Sequence, residues 1–219
     1  MKIFKNKELL KSEIGDKKSI SFIPTMGGLH KGHVSLIKKA TKFKKETLVS
    51  IYVNPKQFNK KEDYKKYPRN LSKDLKILKK LKVNYLYLPS YNDLFKFKPS
   101  HNVYLHEFSK NLCGKYRKGH FKGVLDVVNR FLEIINPKYL FLGLKDFQQL
   151  ILIKKHILKN KINTIVVSCK TIRESNGIVC SSRNYNLNAS QVKLAKSVYN
   201  YLIKIKRKTK KSYRSFSSS

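Results

Sequence analysis

Two histidines three residues apart, in the run Thr25-Met26-Gly27-Gly28-Leu29-His30-Lys31-Gly32-His33, are the side chains best suited to chemistry in this chain. Spaced in this way, His30 and His33 share one face of a helical turn. The glycines around them let the backbone pass close to a polyanion. A helix starting there adds free N–H groups and the positive end of its dipole. Two imidazoles at such a turn donate hydrogen bonds to phosphate oxygens as an α-phosphate passes through its pentavalent state. The helix dipole disfavours imidazolium, so His33 is expected to act as a neutral donor. A zinc site is the rival reading, but no Cys, Asp or Glu stands nearby as a third ligand. A glycine-rich turn carrying two surface histidines is the plainest alternative.

Three further segments carry groups of matching character. Ser50-Ile51-Tyr52-Val53-Asn54-Pro55-Lys56-Gln57-Phe58 ends a β-type run. Its amides Asn54 and Gln57 suit a small hydroxylated carboxylate, although alone it reads as an Asn-Pro turn with a solvated Gln. Gly143-Leu144-Lys145-Asp146-Phe147-Gln148-Gln149 opens a helix and places Lys145 to reach phosphate as a flexible point charge. Cys180-Ser181-Ser182-Arg183-Asn184 offers two hydroxyls and a guanidinium as a phosphate clamp. Each of the last two is ordinary surface when taken singly. Their recurrence at successive strand ends is what carries weight, because the carboxyl ends of strands in an open α/β sheet form the ligand crevice.

The elements that must position these groups alternate between β-type and helical patterns, the mark of a parallel sheet wrapped by helices. Strands are expected at Ile20–Pro24, Thr47–Val53, Val83–Leu88, after Pro137 to Leu142, and at Thr164–Ser168. Helices are expected at about His33–Lys45, Asn70–Lys80, Phe121–Ile135 and Asp146–Leu158, with residues 91–120 irregular. Asn188 caps a last helix reaching about Ile205, and a lysine- and serine-rich tail follows.

Composition narrows the classes further. The 219 residues suffice for one large domain with a sizeable core, and 41% hydrophobic content argues against a disordered chain. No apolar run is long enough to cross a membrane, and the amino-terminal residues 1–5 lack the apolar stretch of a secretory signal. Three cysteines in no metal-binding spacing give neither a disulfide framework nor a zinc knuckle, so a reducing cytoplasm is the expected location. The net charge of +36 suggests nucleic acid. That excess is mostly lysine, however, with only seven arginines and three alanines in the chain. AT-rich codons supply such a composition without a nucleic-acid role, and base-reading surfaces lean on arginine.

The segments PTMGGLHKGHVSLI, VSIYVNPKQF, YRKGHFKGV, FLGLKDFQQL and TIRESNGIVCSSRN, in this order, resemble the pantoate–β-alanine ligase family, of the HIGH-type nucleotidyltransferase superfamily. The resemblance covers about residues 1–188. It implies a Rossmann-like open parallel sheet with helices on both faces, with a catalytic domain over 1–186. It also implies an enzyme that turns ATP and pantoate into pantoyl adenylate and pyrophosphate, after which β-alanine displaces AMP. Mg²⁺ would accompany the nucleotide, and a homodimer would be the assembly. Carried over by position, Met26, Gly27, Gly28, Leu29, His30, Lys31, Gly32 and His33 would contact ATP. Gly143, Leu144, Lys145, Asp146, Ile172, Cys180, Ser181, Ser182 and Arg183 would complete that site. His33, His30 and Lys145 would be catalytic. Gln57 and Gln149 would hold pantoate, Gln57 would also approach β-alanine, and Asn54 would join them in binding these substrates. Departures from the family pattern are Lys31 in place of an acidic residue, Lys118 in place of a proline, and Cys180 in place of a bulkier apolar residue.

Beyond the Ser-Ser-Arg segment, residues 187–219 are expected to form only a vestigial helical remnant of a lid domain, with a loose end from Arg207. That would leave an open cleft and an adenylate prone to hydrolysis. Two rival functions remain open at the sequence level. One is an adenylyltransferase of the same superfamily acting on another acceptor; the other is a basic nucleic-acid-binding protein with a decayed enzyme core.

Overall fold

The computed structural model describes residues 1–15 and 19–216, with side chains described as far as Thr209. The elements run β1 (Lys2–Phe4), α1 (Lys7–Ile14), β2 (Ser21–Thr25), α2 (Lys31–Thr41), β3 (Thr47–Ile51), α3 (Lys61–Lys66), α4 (Leu71–Lys80), β4 (Tyr85–Tyr87), α5 (Tyr91–Phe95), α6 (Cys113–Tyr116), α7 (His120–Ile135), β5 (Tyr139–Gly143), α8 (Phe147–Lys159), β6 (Ile165–Cys169) and α9 (Ala189–Phe216). Single 3-10 turns occupy Pro55–Gln57, Glu107–Lys110, Leu144–Asp146 and Ser182–Asn186. The six strands form one sheet in the order β1-β4-β3-β2-β5-β6, and every pairing is parallel. Parallel neighbours need crossovers, and the intervening helices supply them.

Both faces of this sheet are buried, and the alternation of side chains shows it. Phe22, Leu48, Tyr85, Tyr87, Leu140 and Leu142 point to one face, where α1, α7 and α8 cover them. Their sequence neighbours Ile23, Val49, Leu86 and Phe141 point to the other, onto Ile37 and Ala40 of α2 and Leu78 of α4. Strands covered on both sides read as continuous apolar runs, which makes them legible in the sequence. The 16-residue α7 is the main internal helix, and Phe131 on it meets Phe22 with ring centroids 5.4 Å apart.

Several boundaries differ from the sequence expectation. The α2 helix begins at Lys31, two residues early, because His30 serves as its N-cap. β1 and α1 lie outside the expected elements. A three-residue edge strand carries little apolar signal, and two of its residues are exposed. The 91–120 stretch is not wholly irregular, since it holds α5, α6 and a 3-10 turn. Asn188 does cap α9, accepting from the Gln191 N–H at 2.9 Å while Gln191 Oε1 accepts from the Asn188 N–H at 3.0 Å. The helix does not stop near Ile205, and the segment expected to be loose from Arg207 is helical through Phe216. Residues 204–216 contain no Pro or Gly to break it. Residues 217–219 lie outside the described residues. Among the described residues, no helix is long and apolar enough to cross a membrane.

Strand order reverses between β2 and β5, with β3, β4 and β1 on one side and β6 on the other. A crevice opens at the carboxyl ends of strands where the order reverses. The four segments singled out above converge there.

Candidate active site

Thr25 ends β2 and starts the turn. Its hydroxyl donates to the Ser50 carbonyl at 2.8 Å and accepts the Gly27 N–H at 3.2 Å. Gly27 and Gly28 then take left-handed backbone, with φ of +76° and +60°, where a side chain would be strained. The N–H groups of Gly28 and Leu29 donate to the carboxylate of Asp74 on α4, at 2.9 and 2.8 Å. These two amides therefore point away from the cleft and do not face a phosphate, contrary to the simple picture of a glycine-rich cradle.

The histidines follow. His30 Nδ1 accepts the Gly32 N–H at 3.0 Å, and His33 Nδ1 accepts the His30 N–H at 3.3 Å. Each ring thus caps the start of α2, and the two ring centroids lie 4.1 Å apart. A Cβ on Gly32 would stand 2.7 Å from His30 Cε1, so only glycine lets the ring fold back in this way. Because both Nδ1 atoms accept, the neutral rings carry their protons on Nε2, and both rings line the cleft. Burial is the main cause that holds His30 down at about 4, helped by the Lys145 charge. Burial likewise brings His33 down to about 3, with His30 and Lys145 adding to it. Two neutral N–H donors at neutral pH are the result.

These depressed values carry a stability consequence. Unfolded, each ring takes up a proton near 6.5; folded, only near 4 or 3. Buried His156, held at about 4 mainly by burial, behaves in the same way. Between those values the unfolded state binds more protons, so stability rises with pH there and is fully present only above about 6.5. Thermal melts are expected to hold steady above pH 7 and to fall progressively from about 6.5 toward 4.5. A melting temperature unchanged over that interval would contradict the burial of these rings.

Gln57, at the end of the Pro55–Gln57 turn, also lines the cleft. Its side chain donates to Met26 Sδ at 2.9 Å. Its carbonyl accepts from His120 Nδ1 at 2.7 Å and from an Arg117 amino group at 3.4 Å. Asn54, expected to touch a substrate, lies instead below the cleft and is 1% exposed. Its amide donates to the Gly123 carbonyl at 2.9 Å and reaches Gln57 Oε1 at 3.4 Å, so it orients Gln57 and ties this turn to α7. The turn and α7 touch backbone to backbone, and a Cβ on Gly123 would fall within 2.4 Å of the Lys56 carbonyl oxygen. Gly123→Ala is therefore expected to force the two apart. Overpacking of about 1–3 kcal/mol should lower the melting temperature by roughly 2–12 °C. An unchanged melt would show that the close approach is not maintained in solution.

The remaining expected residues divide in two. Met26, Lys145, Asp146, Gln149, Ser181, Ser182 and Arg183 line the cleft together with both histidines and Gln57. Leu29 is buried in the core, Lys31 pairs outward with Glu174 at 2.7 Å, and Cys180 is buried with its thiol donating to Glu174 at 3.1 Å. Ile172 contributes its carbonyl to the Cys180 N–H at 3.0 Å. Gly27, Gly28, Gly32, Gly143 and Leu144 shape the walls without lining the cleft. Arg183 is not free to clamp a phosphate in this state. It forms a two-pronged pair with Asp63 on α3, at 3.0 and 2.8 Å, and that guanidinium holds the Asp63 carboxyl below its usual range. Ser182, buried, donates to the Tyr67 hydroxyl at 3.1 Å. These links draw the 58–67 segment and the 181–183 turn together along one side of the cleft.

Residues of the cleft beyond the sequence expectation include Tyr67, Arg117, His120 and the apolar wall of Val124, Val127, Val128 and Phe131. The spacing of the wall residues marks a helix stripe, which it also is. The Gly119-His120 pair is the visible signal for the rest. Among the described residues, no group of three or more His, Cys, Asp or Glu is placed to hold a metal ion.

Known proteins resemble this chain over most of its length. Residues 2–218 match the family model described as pantoate-beta-alanine ligase. The pantothenate synthetase of Flavobacterium psychrophilum is 43% identical over 203 residues, covering 92% of this chain and 72% of that protein. That of Francisella philomiragia is 43% identical, covering 89% and 75%. A crystal structure of the Francisella tularensis pantoate-beta-alanine ligase, complexed with beta-gamma ATP and beta-alanine, superposes with a TM-score of 0.85 at 40% identity, covering 91% of this chain and 78% of that one. The pantothenate synthetase of Thermus thermophilus superposes at 0.86 with 31% identity, covering 93% and 74%. Matched by the family model over residues 2–218, 43% identical to a curated member and sharing the fold of a solved one, the chain belongs to the pantoate-beta-alanine ligase family.

Proposed function

We propose that this protein is an ATP-dependent ligase that condenses pantoate with β-alanine to pantothenate, through a pantoyl-adenylate intermediate. The observation that carries the reading is the convergence, in the lining of one cleft, of His30, His33, Lys145, Gln57 and Gln149. Pantoate is a hydroxy acid with a branched hydrocarbon middle. Two amides beside a valine-rich wall offer hydrogen bonds to its polar ends and dispersion contact to its methyl groups.

In the first step a pantoate carboxylate oxygen attacks the α-phosphorus of ATP, and pyrophosphate leaves with the bonding pair. The carboxylate is a weak nucleophile, so alignment by Gln57 and Gln149 supplies much of the acceleration. The Nε2–H groups of His30 and His33 and the Lys145 ammonium stabilise charge that builds on the phosphoryl oxygens. The neutral amine of β-alanine then attacks the acyl carbon. AMP departs, and the amine loses its proton as the amide forms.

Met26–His33, Gly143–Asp146, Ile172 and Cys180–Arg183 are assigned to the nucleotide, some by shaping the wall and not by direct contact. Mg²⁺ suits the site as a companion of the phosphates. Asp146 lines the cleft, and this ion is commonly held by one or two carboxylates plus substrate phosphates and water. Catalysis is assigned to residues 1–186, with residues 187–219 as an appended C-terminal element. A cytoplasmic homodimer is the setting that family membership supports, and light scattering at micromolar concentration tests the dimer.

The function is tested by omitting β-alanine. ATP and pantoate together should release one equivalent of pyrophosphate per active site in a rapid first turnover, and ATP alone should release none. Pyrophosphate release that does not depend on pantoate would overturn the reading.

A further inference from the structure

Asp74 stands 45 residues along the chain from Leu29, in the first turn of α4, and is 2% exposed. Both of its carboxylate oxygens accept backbone N–H groups of the histidine turn, from Gly28 at 2.9 Å and from Leu29 at 2.8 Å. We propose that Asp74 is a positioning residue for the reaction: its carboxylate fixes the turn whose next residues carry the His30 and His33 rings into the cleft. The proposal rests on the ligase reading.

The physical case begins with the turn itself. Two consecutive glycines in left-handed backbone are the loosest connection the chain can make, since glycine loses more freedom on ordering than any other residue. Such a link between β2 and α2 would let the start of α2 shift unless something ties it. Hydrogen bonds to an ionised acceptor are about twice as strong as neutral ones, and here two of them converge on one rigid group. Asp74 is itself anchored, because its own N–H donates to the Asn70 carbonyl at 3.0 Å and a carboxylate is favoured in a first helical turn. Burial leaves its carboxyl raised on balance, and the Leu29 and Gly28 amides, with the Lys73 charge, act against burial in favour of the ionised form. The fit is close: a Cβ on Gly27 would come within 3.0 Å of Asp74 Oδ2. Nothing places the carboxylate in the cleft lining, so its influence on chemistry runs through the turn.

Asp74→Asn is the informative variant. It keeps the shape but leaves one acceptor oxygen for two amides, and turns an NH₂ group toward the other N–H. A small misplacement of the rings is expected to lower kcat for pyrophosphate release roughly 10–100-fold, with KM for ATP and for pantoate within about threefold. A merely structural role would lower the melting temperature without this kcat-only effect. Amide hydrogen exchange provides a second readout. In the unaltered protein Gly28 and Leu29 should both be protected, and in the variant at least one should exchange about ten times faster or more. A kcat within threefold of the unaltered enzyme, or a change confined to KM, would overturn the proposal. So would fast exchange at both amides in the unaltered protein, a result that stands even if the variant does not fold. If the unaltered protein releases no pyrophosphate from ATP and pantoate, the ligase reading fails, while the exchange rates still decide whether Asp74 holds the turn.

Discussion

His33→Ala is expected to slow pyrophosphate release from ATP and pantoate roughly 10²–10³-fold, the loss typical of removing one transition-state donor. The His33 ring lines the cleft and holds its proton on Nε2, because Nδ1 is taken by the His30 N–H at 3.3 Å. Removing the ring also removes that cap, a loss of about 1 kcal/mol, so a modest fall in melting temperature should accompany the kinetic defect. The rate loss is much larger than such a cap explains. It should also persist across the neutral range, since burial and the neighbouring charges keep His33 unprotonated down to about 3. A folded variant that releases pyrophosphate at the original rate would remove His33 from the chemistry.

Gln57→Ala and Gln149→Ala are expected to act on pantoate. Each should raise its apparent KM about tenfold or more and lower the rate through misalignment of the carboxylate, while ATP affinity changes less than about threefold. Gln57 is held on three sides, by Met26 Sδ, by Asn54, and by His120 and Arg117 at its carbonyl. Its placement is thus prepared before any substrate arrives, and Asn54→Ala should reproduce part of the Gln57 defect at a distance. Calorimetric titration of a non-hydrolysable ATP analogue into each variant separates the two ligands. Loss of nucleotide affinity with normal pantoate saturation would show that the amides belong to the nucleotide side.

Much of this is legible in the sequence because local chemistry and global position agree. The histidine turn announces itself through its glycines: Gly27 and Gly28 take left-handed backbone, and Gly32 leaves room for the His30 ring. The central strands are legible because burial on both faces leaves long apolar runs with no polar alternation. What stays hidden depends on contacts between distant residues. Asp74 sits in an ordinary-looking helical stretch, Leu71-Ser72-Lys73-Asp74-Leu75, and only the fold brings it under the turn. Asn54 reads as a substrate ligand because an Asn-Pro turn at a strand end says nothing about which way the amide faces. It faces inward, to the Gly123 carbonyl. Arg183 reads as a phosphate clamp, but its partner Asp63 lies 120 residues away in sequence. The length of α9 exceeds expectation because a lysine- and serine-rich composition suggests a loose tail, although none of its residues forbids a helix.

The most direct measurement follows oxygen. Pantoate labelled with ¹⁸O in both carboxylate positions is incubated with ATP, Mg²⁺, β-alanine and the enzyme, and the products are weighed by mass spectrometry. If the carboxylate attacks the α-phosphorus, one labelled oxygen leaves with the nucleotide and the other stays in the new amide. The expected result is AMP heavier by two mass units and pantothenate carrying a single ¹⁸O, formed one to one. Unlabelled AMP alongside pantothenate that retains its label, or label in ADP or phosphate instead, would contradict activation through a pantoyl adenylate.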